Sequence, residues 1–191
     1  MDKYGVLKEY FGHDSFRNGQ EDIIDNILAG RDTLGIMPTG AGKSVCYQVP
    51  ALMLDGITVV VSPLISLMKD QVESLTQAGV HAAYLNSSLT PAQYSRALHN
   101  LSEGLYKFVY VAPERLSTEN FRTAVENLNI SLIAVDEAHC VSQWGQDFRP
   151  DYLKIAEFAE SLKNRPTIGA FTATATKAVR KDIAEHLHLI D

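Results

Sequence analysis

The feature that most constrains this chain is a glycine-rich segment, Met37-Pro38-Thr39-Gly40-Ala41-Gly42-Lys43-Ser44, between a strand pattern and a helical pattern. Glycines let the backbone turn its N–H groups towards phosphate oxygens, Lys43 brings a positive charge to the β- and γ-phosphates, and the Ser44 hydroxyl can bind Mg²⁺. A helix that begins near Gly42 adds its positive dipole end to the same anion. The segment predicts a phosphate loop, although Met37 stands where the strict pattern has its first glycine.

A second polar motif, Asp136-Glu137-Ala138-His139, follows an apolar run further along the chain. A carboxylate at Asp136 can reach Mg²⁺ directly or through water. Glu137 is placed to orient or deprotonate an attacking water. In an isolated sequence such an acidic pair is more often a solvated turn. Beside a phosphate loop, the two motifs together predict a site for Mg·ATP.

Short β-branched runs alternate with longer helical patterns, which is typical of an α/β fold with a mostly parallel sheet covered on both faces. Strands are predicted at Thr33–Met37, Ile57–Val61, His81–Leu85, Lys107–Val111, Ser131–Val135 and Thr167–Phe171. Helices are predicted at Lys43–Met53, Leu64–Gln77, Thr118–Asn127, Asp151–Leu162 and Thr176–Leu187. Pro50 is expected to kink or end the first of these helices. Thr90 before Pro91 predicts a capped helix start.

Each polar motif follows a predicted strand, and ligands of open α/β sheets gather outside the carboxyl ends of the strands. The motifs are therefore expected to line one edge of one sheet: Met37–Ser44, Ser62-Pro63, Pro113-Glu114-Arg115, Asp136–His139 and Thr172-Ala173-Thr174. The 191 residues, with 46% hydrophobic and 21% charged content, fit one α/β domain that covers the whole chain.

Composition excludes several classes of protein. No apolar run approaches the length of a membrane span, and the first residues show no secretory signal pattern. Cys46 and Cys140 stand far apart, which predicts free thiols rather than a zinc site or a disulfide. The net charge of −6 argues against a long basic surface for nucleic acid. A cytoplasmic protein without a membrane partner is the expectation.

Gln20 is a candidate for reading an adenine base. A glutamine amide can donate to adenine N7 while it accepts from the N6 amino group, a bidentate fit that guanine lacks. From the residues alone, the favoured interpretation of Gln20 is a polar side chain at the start of a helix.

Seven segments then occur in one order: Phe16-Arg17-x-x-Gln20, Thr39-Gly40-x-Gly42-Lys43-Ser44, Ser62–Gln71, Ala112–Leu116, Asp136–Cys140, Ser142–Pro150 and Thr172–Ala175. In this order and spacing the chain resembles RecQ DNA helicases of superfamily 2 from about Val6 to its C-terminus. The loop Trp144–Pro150 is the most specific element, because it separates RecQ from other DEAD/DEAH helicases. In superfamily 2 the first phosphate-loop glycine is commonly replaced, so Met37 is compatible with the resemblance.

The resemblance implies a RecA-like P-loop fold and an ATP-dependent enzyme with Mg²⁺. It makes Gln20 the adenine reader, with Arg17 and His13 as candidates to sandwich the base; many relatives have a tyrosine at the latter position. The nucleotide site would comprise these residues together with Thr39, Gly40, Ala41, Gly42, Lys43 and Ser44. Catalysis is assigned to Lys43, Asp136, Glu137 and His139, and Mg²⁺ to Ser44 and Asp136. Thr172 and Thr174 would link, with His139, the nucleotide site to the DNA side.

The resemblance also implies contacts with single-stranded DNA. Trp144 and Phe148 offer ring faces to unpaired bases, and Arg149 offers a charge or a stacking plane, worth about 1–3 kcal/mol per stacked base. On composition alone, both aromatic residues could instead be core residues under a loop. Further contacts are expected from Ser62, Pro63, Asn86, Arg115 and Gln143, largely with the DNA backbone and without sequence choice.

In these helicases a second RecA-like lobe supplies an arginine finger, for which this chain offers no candidate. The expectation is therefore the first motor lobe of a longer bacterial helicase that moves along single strands and unwinds duplexes. Alone it should bind nucleotide weakly, hydrolyse it slowly and not unwind DNA. The alternatives are a DEAD/DEAH-type RNA helicase lobe, a P-loop kinase, or a truncated nucleotide-dependent nucleic-acid-binding module. The oligomeric state is not indicated.

Overall fold

The computed structural model describes residues 1–38 and 42–190. In this part of the chain six strands form one sheet of order β1-β6-β5-β2-β4-β3, and every neighbouring pair is parallel. The strands are β1 (Thr33–Ile36), β2 (Ile57–Val61), β3 (Ala82–Leu85), β4 (Phe108–Val111), β5 (Ile130–Val135) and β6 (Thr167–Thr172). The predicted parallel α/β fold is confirmed.

The described α-helices are α1 (Lys3–Phe11), α2 (Gln20–Leu28), α3 (Lys43–Met53), α4 (Ile65–Gln77), α5 (Pro91–Ser102), α6 (Glu119–Val125), α7 (Ile155–Ser161) and α8 (Lys177–His186). Single 3-10 turns occupy Pro113–Ser117, Ala138–Val141 and Pro150–Lys154. Among the residues described, none of these helices combines the length and the apolar character needed to cross a bilayer.

The side chains of the central strands alternate between two apolar cores. On β2, Val59 and Val61 pack in the core shared with α5 to α8, whereas Val60 packs in the core shared with α2, α3 and α4. Helix α1 lies outside this second layer, where Leu7 contacts a small cluster from α2 and α3. Because both faces of the sheet are covered, the strands consist of nearly continuous apolar residues. All five residues of β2 are buried.

The predicted element boundaries hold to within one or two residues for most strands and helices. Thr90 caps α5 as predicted: its hydroxyl accepts from the Gln93 N–H, and the Gln93 side chain accepts in return from the Thr90 N–H. Pro50, in contrast, does not end α3, which continues to Met53. A proline this close to the end of a helix removes one donor, and the last turn closes past it through the Leu54 N–H and the Pro50 carbonyl.

Two parts of the helical pattern differ from the prediction. The predicted helix Asp151–Leu162 is divided into the 3-10 turn Pro150–Lys154 and α7. The buried side chain of Tyr152 lies in that turn and reaches the carboxyl end of β5. Helix α1 was not predicted before Gln20; it begins with Asp2 as N-cap, whose side chain accepts from the Gly5 N–H.

Parallel pairing brings the carboxyl ends of all six strands to one edge of the sheet. The strands β1, β6, β5 and β2 are consecutive neighbours, so the segments after Ile36, Thr172, Val135 and Val61 lie side by side. The expectation that the polar motifs share one edge is confirmed for the described residues.

Candidate functional site

A cavity of about 550 Å³ opens at this edge of the sheet. It is lined at one end by residues of the first loop and α2, in the middle by the start of α3, and at the other end by the segments after β2 and β5. Its walls include the predicted residues His13, Arg17, Gln20, Gly42, Lys43, Ser44, Ser62, Asp136 and Glu137. The structure therefore brings the expected adenine, phosphate and acidic residues to a common cavity.

The end of the cavity at which the sequence predicts phosphate binding, called the phosphate end, is formed by the first turn of α3. Gly42 is the N-cap with φ 79°, a conformation that a residue with a Cβ rarely adopts. A Cβ at this position would also lie 2.4 Å from the Gln20 side-chain nitrogen. Gly42 thus permits both the turn into the helix and the close approach of α2. Lys43 and Ser44 follow at the helix start, and the predicted residues Thr39, Gly40 and Ala41 lie outside the described part of the chain.

The acidic end is a tight turn after β5. Glu137 has φ 52° and ψ 45°, a left-handed conformation that is uncommon for residues other than glycine. The turn is held by two contacts: the Glu137 N–H donates to Asp136 Oδ1 over 3.0 Å, and the Tyr152 hydroxyl donates to the Asp136 carbonyl over 2.8 Å. Strained backbone of this kind persists where surrounding contacts fix it, often at functional sites. The turn aims both carboxylates at the cavity.

Burial raises the pKa of the Asp136 carboxyl, and the neighbouring Glu137 charge raises it further, while Lys43 acts in the opposite direction. A negative charge at Asp136 is therefore costly in the protein alone. A cation bound beside it would favour the charged form. A raised pKa in a cavity is typical of a carboxyl group at a functional site.

His139 connects the acidic turn to β6. Its Nδ1 lies 2.8 Å from Thr172 Oγ1, and its Nε2 lies 3.5 Å from Glu137 Oε2. Thr172 Oγ1 in turn donates to the Thr174 carbonyl over 3.2 Å. A Thr172 hydroxyl that donates to Thr174 accepts from His139, which places a proton on Nδ1. The imidazolium form would donate to Glu137 as well. These contacts join the cavity to the loop after β6.

The end of the cavity at which the sequence predicts adenine binding, called the adenine end, is built around Gln20. Its side-chain oxygen accepts from the Arg17 N–H over 2.8 Å, and its nitrogen donates to the Gly42 carbonyl over 3.1 Å. The Gln20 amide is thereby held between the loop before α2 and the segment before α3, and Gln20 is buried. His13 and the Arg17 side chain are exposed at the mouth of the same cavity. The arrangement fixes the orientation of the amide beside the space available to a base.

The aromatic loop, defined as Ser142–Pro150, lies directly after the acidic turn. Trp144 is 79% exposed, so it is not a core residue, whereas Phe148 is partly buried. Gln143 is exposed, and the Arg149 guanidinium is paired with Asp147 at 3.2 Å. A second cavity of about 510 Å³ separates this loop from the segment Thr172–Thr176, and His139 also lines it. His139 therefore lines the second cavity, beside the aromatic loop, and also contacts Glu137 at the first cavity.

Other predicted DNA contacts occupy different environments. Ser62 is buried, and its hydroxyl accepts from the Leu64 N–H over 3.2 Å. Asn86 is also buried, and its oxygen accepts from the Ser88 N–H over 2.9 Å. The Arg115 guanidinium lies over the Tyr94 ring, 4.8 Å from its centroid. The first two side chains shape their turns, and Arg115 is held against α5.

Several residues of the site have no strong signal in the sequence. Tyr152 holds the acidic turn through the hydrogen bond from its hydroxyl to the Asp136 carbonyl. Tyr47, Gln71 and Tyr110 also line the cavity. The buried Gln48 side chain donates to Gln71 Oε1 over 2.7 Å and to the Tyr110 hydroxyl over 2.9 Å, and the Tyr47 hydroxyl lies 3.0 Å from that of Tyr110. Burial raises the pKa of Tyr110 to about 12. These four side chains join α3, α4 and β4 beside the phosphate end. They lie in segments whose sequence pattern is explained by a helix or a strand alone, so the sequence does not mark them as part of the site.

The oxygen donors at the cavity suit Mg²⁺ bound together with a phosphate ligand. A serine hydroxyl and a carboxylate are hard ligands, and Mg²⁺ is commonly held by one or two such side chains plus phosphate oxygens and water. Within residues 1–38 and 42–190 there is no cluster of three or more histidine, cysteine or acidic side chains that could hold a metal ion by itself. The donor set of Ser44 and Asp136 therefore fits an ion that arrives with a nucleotide.

The sequence profile described as DEAD/DEAH box helicase matches residues 17–182. These residues include the phosphate segment, the acidic turn, the aromatic loop and most of α8. The chain belongs to the DEAD/DEAH box helicase family.

Within this family the similarity is to RecQ proteins. The chain is 49% identical to the ATP-dependent DNA helicase RecQ of Bacillus subtilis over 185 residues, which are 96% of this chain and 31% of that protein. It is 50% identical to RecQ of Pasteurella multocida over 184 residues, 96% of this chain and 29% of that protein. The resemblance drawn from the motifs is confirmed. The chain spans about 30% of the length of these curated relatives.

The fold also matches solved helicase structures. The Mycobacterium smegmatis helicase Lhr, in a structure with single-stranded DNA and AMP-PNP, superposes with a TM-score of 0.74 at 21% identity. The match covers 97% of this chain and 27% of that one. At this identity the likeness concerns the fold alone, and it supports the predicted RecA-like architecture.

Proposed function

We propose that this chain is the ATP-binding motor domain of a RecQ-like DNA helicase. In the longer protein it would couple ATP hydrolysis to movement along single-stranded DNA and to duplex unwinding. The observation that carries the proposal is the series of contacts Glu137–His139–Thr172. These contacts join the first cavity, proposed for the nucleotide, to the second cavity beside the aromatic loop. Such a connection serves a motor better than a nucleotide-binding module with no second ligand.

The residues of the cavity divide the chemistry of phosphoryl transfer among them. Lys43 would neutralise charge on the β- and γ-phosphates, and the start of α3 would present its N–H groups to them. Ser44 and Asp136 would hold Mg²⁺, which supplies positive charge to the phosphate oxygens when bound. Glu137 would orient the attacking water and accept its proton. His139, in contact with both Glu137 and Thr172, would sense the loop after β6.

The base would be recognised by Gln20, with Arg17 and His13 on its two faces. Gln20→Ala is expected to reduce the preference for ATP over GTP by about tenfold, because a bidentate amide contact is worth roughly 1–3 kcal/mol of discrimination. Competition of ATP and GTP against a fluorescent nucleotide measures this ratio in the isolated chain. Gln77→Ala, at the exposed end of α4, is the control. Equal losses of affinity for both nucleotides would show that Gln20 only supports Gly42.

Single-stranded DNA is proposed to cross the carboxyl edge of the sheet. Its backbone would contact the segments Ser62–Pro63 and Asn86–Ser88 and the Arg115 side chain. Thr174, in the segment after β6, would help to link the DNA side to the nucleotide site. Gln143, Trp144, Phe148 and Arg149 would contact bases and phosphates. Contacts made largely by main-chain and neutral groups need little positive charge, which is consistent with the net charge of −6.

Trp144→Ala is expected to uncouple ATP turnover from DNA in the longer protein while nucleotide affinity is retained. Loss of one stacking contact of about 1–3 kcal/mol should raise the DNA concentration for half-maximal stimulation by a factor between roughly 5 and 160. The measurement is ATP turnover against the concentration of single-stranded DNA. Leu105→Ala, an exposed apolar residue at the opposite edge of the sheet, should behave like wild type. A fall in nucleotide affinity in the Trp144 variant would contradict the coupling role.

The same assay separates the proposed function from its main rival. A DEAD/DEAH-type RNA helicase would be stimulated by RNA at least as strongly as by single-stranded DNA. We expect the reverse, because the aromatic loop accompanies RecQ-like similarity over 96% of the chain. A second RecA-like lobe would complete the nucleotide site, so the isolated domain should turn over ATP slowly. Turnover in the isolated chain that DNA stimulates to the level of the longer protein would contradict this division. Cytoplasmic location remains a prediction.

A further inference from the structure

The aromatic loop is tied to α8 by a hydrogen bond that crosses 40 positions of the sequence. The Ser142 hydroxyl donates to Asp182 Oδ2 over 2.6 Å. The same hydroxyl oxygen accepts from the Trp144 N–H over 3.1 Å. Ser142 is fully buried, and Asp182 lies on α8 one residue before the buried Ile183. Asp182 therefore contacts the base of the loop, on the side that faces the core.

The chemistry of the Asp182 carboxylate, the Ser142 hydroxyl and the Trp144 N–H determines which group donates and which accepts in these two hydrogen bonds. An ionised carboxylate only accepts, so the single proton of the Ser142 hydroxyl is committed to Asp182. The lone pairs of that hydroxyl are then available for the Trp144 N–H. Hydrogen bonds to charged acceptors are stronger than neutral ones. The orientation of the backbone at Trp144 consequently depends on a carboxylate that it does not touch.

The hydrogen bond between Ser142 and Asp182, called the anchor, also connects two segments that line the second cavity. Helix α8 begins at Lys177 and is capped by the side chain of Thr176. The segment Thr172–Thr176 lines the second cavity, of about 510 Å³, together with Trp144. On the other side, the loop packs against the acidic turn: a Cβ at Gly145 would lie 3.0 Å from the His139 carbonyl. Loop, α8 and His139 are thus held in one arrangement around the second cavity.

We propose that Asp182 is a positioning residue that sets the conformation of the aromatic loop, and through it the response of the motor to single-stranded DNA. The inference rests on the proposed function for its second half only. The first half, that Asp182 fixes the loop, concerns the folded chain without any ligand. A helix residue with a merely packing role would not hold the hydroxyl that receives the Trp144 N–H.

Trp144 is the sole tryptophan of the sequence, so its fluorescence reports on the loop directly. In the isolated chain, Asp182→Ala is expected to lower the anisotropy of Trp144 emission and to shift its emission maximum. Ser142→Ala should produce the same change, and the double variant should add little to it. Asp182→Asn keeps an acceptor oxygen and should restore most of the wild-type signal. Glu185→Ala, an exposed acidic residue three positions along the same helix, should have no effect.

In the longer protein, Asp182→Ala is expected to raise the DNA concentration for half-maximal stimulation of ATP turnover by about tenfold, the scale of a lost charge-assisted hydrogen bond. Asp182→Asn should fall near wild type, and Glu185→Ala should equal it. The matched acidic variants separate a specific anchor from a general change of charge on α8.

The outcomes separate the inference from the function on which it partly rests. If wild type shows no stimulation by single-stranded DNA, the proposed function fails, and the anisotropy series still decides whether Asp182 holds the loop. If wild type is stimulated but the Asp182 and Glu185 variants behave alike in both assays, the inference is overturned. Should Asp182→Ala not fold, Ser142→Ala and Asp182→Asn decide: wild-type anisotropy and DNA response in Ser142→Ala would overturn it.

Discussion

Replacement of Lys43 with alanine is expected to weaken binding of Mg·ATP to the isolated chain by about 2–5 kcal/mol, or from roughly 30-fold to several thousandfold. Lys43 opens α3 and lines the cavity between the adenine end and the acidic turn. Triphosphate oxygens in that position would lose their principal point charge. Asp136 and Glu137 would remain, and their repulsion of the nucleotide would no longer be balanced.

Binding of a fluorescent ATP analogue, followed by titration and competition with ATP, measures this loss. Lys181→Ala is the matched control, because the Lys181 side chain is 76% exposed on α8 and belongs to a surface ion pair. Lys43→Arg keeps the charge in a bulkier, planar group and should give an intermediate affinity. A Lys43→Ala chain that melts like wild type and binds ATP with wild-type affinity would remove the basis for the proposed nucleotide site.

The fold was accessible from the sequence because its signals are local. Five apolar strand patterns are each followed by a polar motif, and a parallel sheet necessarily brings such motifs to one edge. Lys43 and Asp136 could therefore be assigned to one cavity without knowledge of the strand order. The strand order itself could not be read. It decides that β6 lies between β1 and β5, which places Thr172 beside His139.

Trp144 shows where physical pattern and resemblance diverge. An isolated tryptophan in a globular sequence is usually buried for much of its surface, and composition alone favoured a core position. The structure leaves it 79% exposed. The loop pattern shared with RecQ proteins predicted an exposed binding residue, so the resemblance supplied information that hydrophobicity could not.

Tyr152 and Asp182 were missed for a different reason. Each makes its contact with a segment distant in sequence, and each lies in a stretch whose local pattern has a sufficient explanation. Tyr152 fits an amphipathic helix, yet its hydroxyl holds the Asp136 carbonyl. Asp182 fits the polar face of α8, yet it accepts from Ser142. Polar contacts between elements depend on their relative placement, which one sequence does not reveal.

The second large effect is expected far from the cavity, at Asp32. Its side chain is 2% exposed and lies before β1, at the amino edge of the sheet. One oxygen accepts from the Ile168 N–H over 2.9 Å, and the other accepts from the Ile190 N–H over 2.8 Å. Both oxygens also receive the Arg165 guanidinium, at 3.2 and 2.8 Å. One carboxylate therefore joins β1, β6 and the segment after α8.

Asp32→Ala is expected to lower the free energy of unfolding by about 3–5 kcal/mol, because it leaves the partly buried Arg165 guanidinium and the N–H groups of Ile168 and Ile190 without their acceptor. Arg165 retains two carbonyl acceptors, those of His188 at 2.9 Å and Pro166 at 3.1 Å, which limits the loss. Chemical denaturation of the isolated chain measures the change as a shift of the midpoint at constant slope. Asp70→Ala, an exposed aspartate of α4, should stay within about 0.5 kcal/mol of wild type.

Because Asp32 lies at the opposite edge from the cavity, the folded fraction of Asp32→Ala should bind Mg·ATP with nearly wild-type affinity. Asp32→Asn keeps an acceptor for one N–H but loses the charge, so it should fall between alanine and wild type. The pair of measurements distinguishes stability from function: Lys43→Ala should lose nucleotide and keep its midpoint, and Asp32→Ala should do the reverse. A midpoint for Asp32→Ala equal to that of Asp70→Ala would show that the buried carboxylate contributes no net stability.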